Sequence, residues 1–148
     1  MTDRTTASST MRAMLCRAFG PVSSLRLEAV PAPVPGPGEV VIAVRACGIN
    51  FFDGLMVEGK YQTKPPFPFS PGSEVAGVVR AVGEGVGTFA PGMRVFAFVG
   101  HGGMAEQVVA DAAKQRHRGM GVEVNEPRGQ GVGRKDHALR RRVARMCR

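Results

Sequence analysis

Tryptophan is absent from this 148-residue chain, tyrosine occurs once and cysteine three times. Cys16, Cys47 and Cys147 are too few and too scattered for a disulfide scaffold, and no C-x-x-C pair is present to grip a metal. No run of about 18 apolar residues occurs, so no membrane-spanning helix and no membrane partner are expected. Residues 1–10 are rich in Thr and Ser without an apolar stretch, which argues against a secretory signal, and Asp3 argues against a transit peptide. These absences point to a reducing, cytoplasmic compartment.

Charge of one sign is scarce until the end of the chain. The formal net charge is +8, yet residues 1–113 carry nine basic and nine acidic side chains. Residues 114–148 carry eleven basic side chains against Glu123, Glu126 and Asp136, so the whole excess lies there. That segment has no aromatic residue and no isoleucine, but five glycines and nine arginines. So little apolar material cannot offset the entropy of ordering, and residues 115–148 are expected to be a disordered basic tail. Without aromatics for base stacking, such a tail could bind polyanions only through phosphate charge, with no specific nucleic-acid partner. A non-catalytic interaction module of that kind is the alternative to the reading developed below.

What is present in residues 11–114 is a dense succession of strand and turn signals. Met11 opens an apolar stretch that suits a first strand and is itself a candidate start of the fold. Leu25–Val30 alternates Leu25, Leu27 and Ala29 with polar partners. Residues 31–38 are rich in Pro and Gly and predict a loop. Glu39–Ala46 (EVVIAVRA) is nearly all apolar and β-branched, which predicts a buried strand. Asn50–Val57 places Phe51 with Leu55 and Phe52 with Met56 at helical spacing. Pro65, Pro66, Pro68 and Pro71 then forbid regular helix. Further strands are expected at Ser73–Val82, Met93–Val99 and Met104–Val109. Short strands at roughly ten-residue spacing predict a mainly β fold, a barrel or a sandwich.

Gly100–Ala105 fits G-x-G-x-x-A after an apolar strand, a pattern that can cradle a pyrophosphate. No strand–helix–strand unit follows it, so a hairpin turn is expected instead. More telling is a set of segments in fixed order: Pro35–Val40, Gly48–Asp53, Gly59–Tyr61, Pro71–Val79, Ala81–Gly83 and Gly92–Val95. Together they resemble the N-terminal GroES-like catalytic domain of the medium-chain dehydrogenase/reductase family, in its zinc-free NADPH:quinone oxidoreductase branch. The resemblance spans about residues 11–114 and implies a partly open β-barrel with one or two short helices. Residues 1–10 would be a polar extension. The resemblance stops abruptly at Gln115-Arg116-His117-Arg118, and a frameshift would explain both the break and the local charge.

The resemblance implies further expectations for single residues. The zinc-ligand positions of metal-dependent relatives match Asn50 and Ser73, and an amide and a hydroxyl suit zinc poorly. Asn50 would sit where the nicotinamide of NADP(H) meets the substrate; read from its residues alone, it is the N-cap of the helix that follows, and both roles could hold at once. Tyr61 would be a pocket tyrosine facing a quinone or enone, or core packing. Lys64 could stand at the pocket mouth, Glu74 near the cofactor or as a hydrogen-bonded structural acid, Cys47 in the core, and His101 in a turn. Met93 stands where the family commonly has Asp. A Rossmann-type cofactor domain, which such relatives use to hold the dinucleotide, is missing from this chain. The function implied is a truncated oxidoreductase domain, inactive alone, whose family transfers hydride from NADPH to small quinones or enones. The sequence specifies no oligomeric state.

Overall fold

The structure, a computed structural model, describes residues 9–113. The expected basic tail and residues 1–8 of the polar extension lie outside the described residues. Six strands and one α-helix follow in order: β1 (Thr10–Leu15), β2 (Arg26–Pro31), β3 (Glu39–Gly48), α1 (Phe51–Val57), β4 (Glu74–Val82), β5 (Arg94–Phe98) and β6 (Gln107–Asp111). A single 3-10 turn, Val22–Ser24, precedes β2. The fold is mainly β, as the strand signals predicted.

Two sheets form. β1 and β2 make an antiparallel ribbon, and β5-β4-β3-β6 make an antiparallel four-stranded sheet. They do not close on each other. β1 is tied to the second half of the chain by isolated bridges, Ala13 with Ala105 and Cys16 with Phe69. The result is a partly open barrel.

β3 is central because its sequence suits no other place. Val40, Val41 and Ile42 are buried in succession, so the usual alternation of inside and outside is broken. A register shift against β4 falls between Val41 and Ile42. β4 and β5 alternate cleanly: Val75 and Val79 face Val95 and Ala97 in one core, with Val108 and Ala110 of β6 joining Val40 and Ile42. Each valine or isoleucine among them contributes about 1.5–3 kcal/mol when fully buried. A second cluster gathers Cys16, Met56, Val57 and Phe69 under α1, with Leu25, Phe52 and Tyr61 packed against it.

Three expectations shift. Thr10 already pairs with Pro31, so β1 begins inside the expected extension. In β2 Leu27 and Ala29 point outward, Leu27 being 60% exposed. The register sets this: Leu27 lies opposite Met14 while Glu28 lies opposite the buried Ala13. Glu28 then reaches Arg17, 2.6 Å away, at the surface. The last strand begins at Gln107, not Met104, because Gly103 and Met104 donate to the carbonyls of Gly72 (2.8 Å) and Pro71 (2.9 Å) instead of joining β3.

β3 and β4 approach most closely at Gly77. A Cβ there would stand 2.2 Å from the Ala43 carbonyl oxygen and 2.8 Å from Ile42 Cγ2. Backbone cannot yield as a flexible side chain does, so Gly77→Ala should cost roughly 2 kcal/mol or more. Gly87 has nothing within 4 Å of its Cβ direction, and Gly87→Ala should stay within about 0.5 kcal/mol. Urea-unfolding midpoints of the two variants should separate clearly; equal midpoints would contradict this account of the sheet.

Candidate functional site

The site forms where β3 ends and β4 begins. The ladder between them runs to Gly48 opposite Glu74, so the residues just beyond, Ile49–Phe51 and Pro71–Ser73, leave the sheet side by side. Asn50 adopts an extended backbone (φ −112°, ψ 157°) and stands immediately before α1. The carbonyl of Asn50 accepts the Asp53 N–H at 3.1 Å. Asp53 Oδ2 accepts the Asn50 N–H at 2.8 Å, which satisfies a donor that a helix start leaves open.

Asn50 Nδ2 is buried and has no hydrogen-bond partner among the described residues. A buried, unpaired amide donor is costly, roughly 1–3 kcal/mol. On either side of Asn50, Ile49 is 78% exposed and Phe51 84% exposed. A buried, unpaired donor beside two exposed apolar side chains is an arrangement that calls for an explanation beyond packing.

Asp53 was not singled out in the sequence. It is 2% exposed, and its Oδ1 accepts the Gly72 N–H at 3.2 Å and the Ser73 hydroxyl at 3.4 Å. The legible signal was the spacing: an acid three residues after Asn50, the reach of a helix-capping side chain. Ser73, fully buried, thus turns its hydroxyl to Asp53. Gly72 holds φ +89°, and a Cβ on it would stand 2.5 Å from Cys47 Sγ and 2.9 Å from the Met104 nitrogen. Cys47 is half-buried against this turn. Burial first, then the negative charges of Asp53 and Glu74, push its thiol pKa up. Glu74 itself accepts no hydrogen bond among the described residues; its charge acts on Cys47.

The remaining candidates fall into two groups. Tyr61 is half-buried and stacks on Phe52 of α1, with ring centroids 5.4 Å apart. The helix thereby joins Tyr61 to the Asn50 end of the site. Lys64 and His101 belong elsewhere. Lys64 Nζ lies 5.8 Å over the Phe19 ring, and Phe19, Phe67 and Phe69 form a row that ends on His101. Burial against that row lowers the His101 pKa. The turn before β6 contains Gly100 and Gly102 at positive φ and leads into a strand, not a helix. It therefore offers no helix N-terminus to a pyrophosphate. Among the described residues no cluster of three or more His, Cys, Asp or Glu could hold a metal ion. No helix among them is long and apolar enough to cross a membrane.

Residues 36–118 match the alcohol dehydrogenase GroES-like domain. The chain is 42% identical over 106 residues to the synaptic vesicle membrane protein VAT-1 homolog of Mus musculus, covering 70% of this chain and 26% of that protein. It is 42% identical over 103 residues to the quinone oxidoreductase of Rattus norvegicus, covering 68% of this chain and 31% of that one. A solved mycobacterial protein in complex with NADPH is similar with a TM-score of 0.63 and 38% identity, over 69% of this chain and 32% of that chain. The chain thus spans about a quarter to a third of the length of these relatives.

The charges around Cys47 make its reactivity a probe of the site. At pH 8 iodoacetamide should modify Cys47 more slowly than a free thiol, because a raised pKa leaves less thiolate. Glu74→Gln should speed the reaction by removing one of the charges. Peptide mass spectrometry over a time course reads both, and a rate insensitive to Glu74→Gln would refute this electrostatic picture.

Proposed function

The chain belongs to the alcohol dehydrogenase GroES-like domain family, and on that premise we propose that residues 11–114 form the substrate-facing catalytic domain of an NADPH-dependent quinone or enone reductase. The observation that carries this is the orphaned Asn50 amide nitrogen at the start of α1. Its likeness to a quinone oxidoreductase and to an NADPH-bound mycobacterial protein supports the same reading.

NADP(H) fits this chain at one end only. Asn50 offers a donor to the region where nicotinamide and substrate would meet, while the turn before β6 provides no cradle for the pyrophosphate. When bound, NADPH supplies the hydride. The chain's own residues do the rest of what is proposed here. Asn50 Nδ2 donates to the carbonyl oxygen of a quinone or enone, whose negative charge grows as the carbon is reduced; a fixed donor favours that charge without having to reorganise. Ile49 and Phe51 cover the apolar ring of the substrate. Tyr61, stacked on Phe52, is the pocket tyrosine. No step is assigned to zinc, because Asn50 and Ser73 occupy the positions where metal-dependent relatives carry ligands, and an amide and a hydroxyl hold zinc poorly.

Positioning of two reactants is worth several kcal/mol of barrier, and this chain holds only one of them well. The 148-residue chain is therefore expected to show no steady NADPH oxidation with a small quinone, yet to bind the quinone through Asn50. Duroquinone titrated into 15N-labelled protein should shift the Asn50 side-chain signals, and Asn50→Ala should weaken binding by up to about tenfold, the upper value of one neutral hydrogen bond. Saturable NADPH binding with steady turnover would overturn the division of labour. Indifference of duroquinone affinity to Asn50→Ala would overturn the site. Elemental analysis of protein purified without added metal should find no stoichiometric zinc; zinc that survives mild chelation would sink the metal-free reading.

A further inference from the structure

We infer that Asp53 positions the Asn50 amide, by clamping both arms of the site with one buried carboxylate. This deepens the function proposed above and rests on it. The carboxylate is 2% exposed and takes three donors from two segments of the chain. Oδ2 accepts from the Asn50 N–H at 2.8 Å. Oδ1 accepts from the Gly72 N–H at 3.2 Å and from Ser73 Oγ at 3.4 Å. The two segments lie 19 and 20 residues from Asp53 on one side and three on the other, so nothing local brings them together.

Helix capping alone explains only one of the three contacts. An acid at the third helical position commonly returns to the backbone N–H of the residue before the helix. It does not commonly reach a second chain segment with its other oxygen. Here that oxygen fixes the Gly72–Ser73 turn, whose backbone is also held from the other side: the Gly72 carbonyl accepts the Gly103 N–H at 2.8 Å and the Pro71 carbonyl accepts the Met104 N–H at 2.9 Å. The carboxylate therefore transfers the rigidity of the β3–β4 end to Asn50. It also covers the Asn50 backbone donor from inside the helix and leaves Asn50 Nδ2 unpaired. Asp53 touches no reacting atom in this arrangement; it is a positioning residue.

The test reads Asn50 without any ligand. In the full 15N-labelled chain, the Asn50 side-chain amide pair is identified by its disappearance in Asn50→Ala. In Asp53→Asn, which keeps the size but loses an acceptor, that pair should move and exchange with solvent about tenfold faster. The backbone amides of Ile42 and Val79, deep in the sheet, should keep their protection. An unmoved Asn50 pair in a folded Asp53→Asn protein overturns the inference. If Asp53→Asn loses the core protection as well, Ser73→Ala decides: it removes one donor to Oδ1 and should still move the Asn50 pair, and an unmoved pair again overturns the inference. Duroquinone affinity separates this inference from the function beneath it. Asp53→Asn should weaken duroquinone about as much as Asn50→Ala does. If Asp53→Asn moves the Asn50 pair while neither variant changes duroquinone affinity, the positioning role stands and the quinone reading falls.

Discussion

The pairing of β3 with β4 is the constraint on which the rest of this molecule depends. It is the central ladder of the four-stranded sheet, with β6 and β5 added on its two outer sides. It is also a tight contact, since Gly77 lies where any side chain would strike the Ala43 carbonyl. A ladder so closely packed resists a slip, because a one-residue slip would turn the buried Val75 and Val79 of β4 to the outer face. Its far end, Gly48 opposite Glu74, then places Asn50 and Ser73 side by side although they are 23 positions apart in the numbering. The site is a consequence of where this ladder stops.

Polar groups at that end are arranged unequally. Asp53 draws three donors to one carboxylate, and Ser73 is turned to it from within the fold. Among the described residues, Asn50 Nδ2 is the buried side-chain donor without a partner. Proteins leave few such groups unpaired, and those left unpaired merit a functional explanation. The exposed Ile49 and Phe51 stand beside Asn50: large apolar side chains at 78% and 84% exposure are the kind of surface that marks a contact site. The aromatic row from Phe19 to His101 runs through Phe69, a member of the cluster under α1.

Much of the fold was legible in the sequence because the strands carry strong signals. EVVIAVRA could be little else than a covered strand, and the prolines between Tyr61 and Gly72 excluded helix there. The discrepancies all arise where two distant segments compete for the same backbone groups. Met104 has the composition of a strand residue, yet its carbonyl accepts from Met14 at 2.8 Å while its N–H goes to Pro71. Leu27 alternates as an inward residue should, yet its register with β1 turns it outward. In the site, Asn50 and Tyr61 were legible by resemblance. Asp53 was hidden because only its spacing to Asn50 is local.

The sequence by itself determined the strand-rich character of residues 11–114, the short helix after Asn50 and the family to which the chain belongs. Those properties are carried by periodicity, by turn residues and by motifs, all of which act over a few neighbouring positions. Only the tertiary structure decided which donor is left over. Asn50 and Asp53 form a capping box at the start of α1, yet Asn50 Nδ2 stays without a partner among the described residues; what surrounds it depends on Asp53 meeting Gly72 and Ser73, and that meeting exists only once β3 and β4 have paired. Hydrogen-bond acceptors are shared among whatever segments the fold brings within about 3 Å, and no local pattern records that sharing.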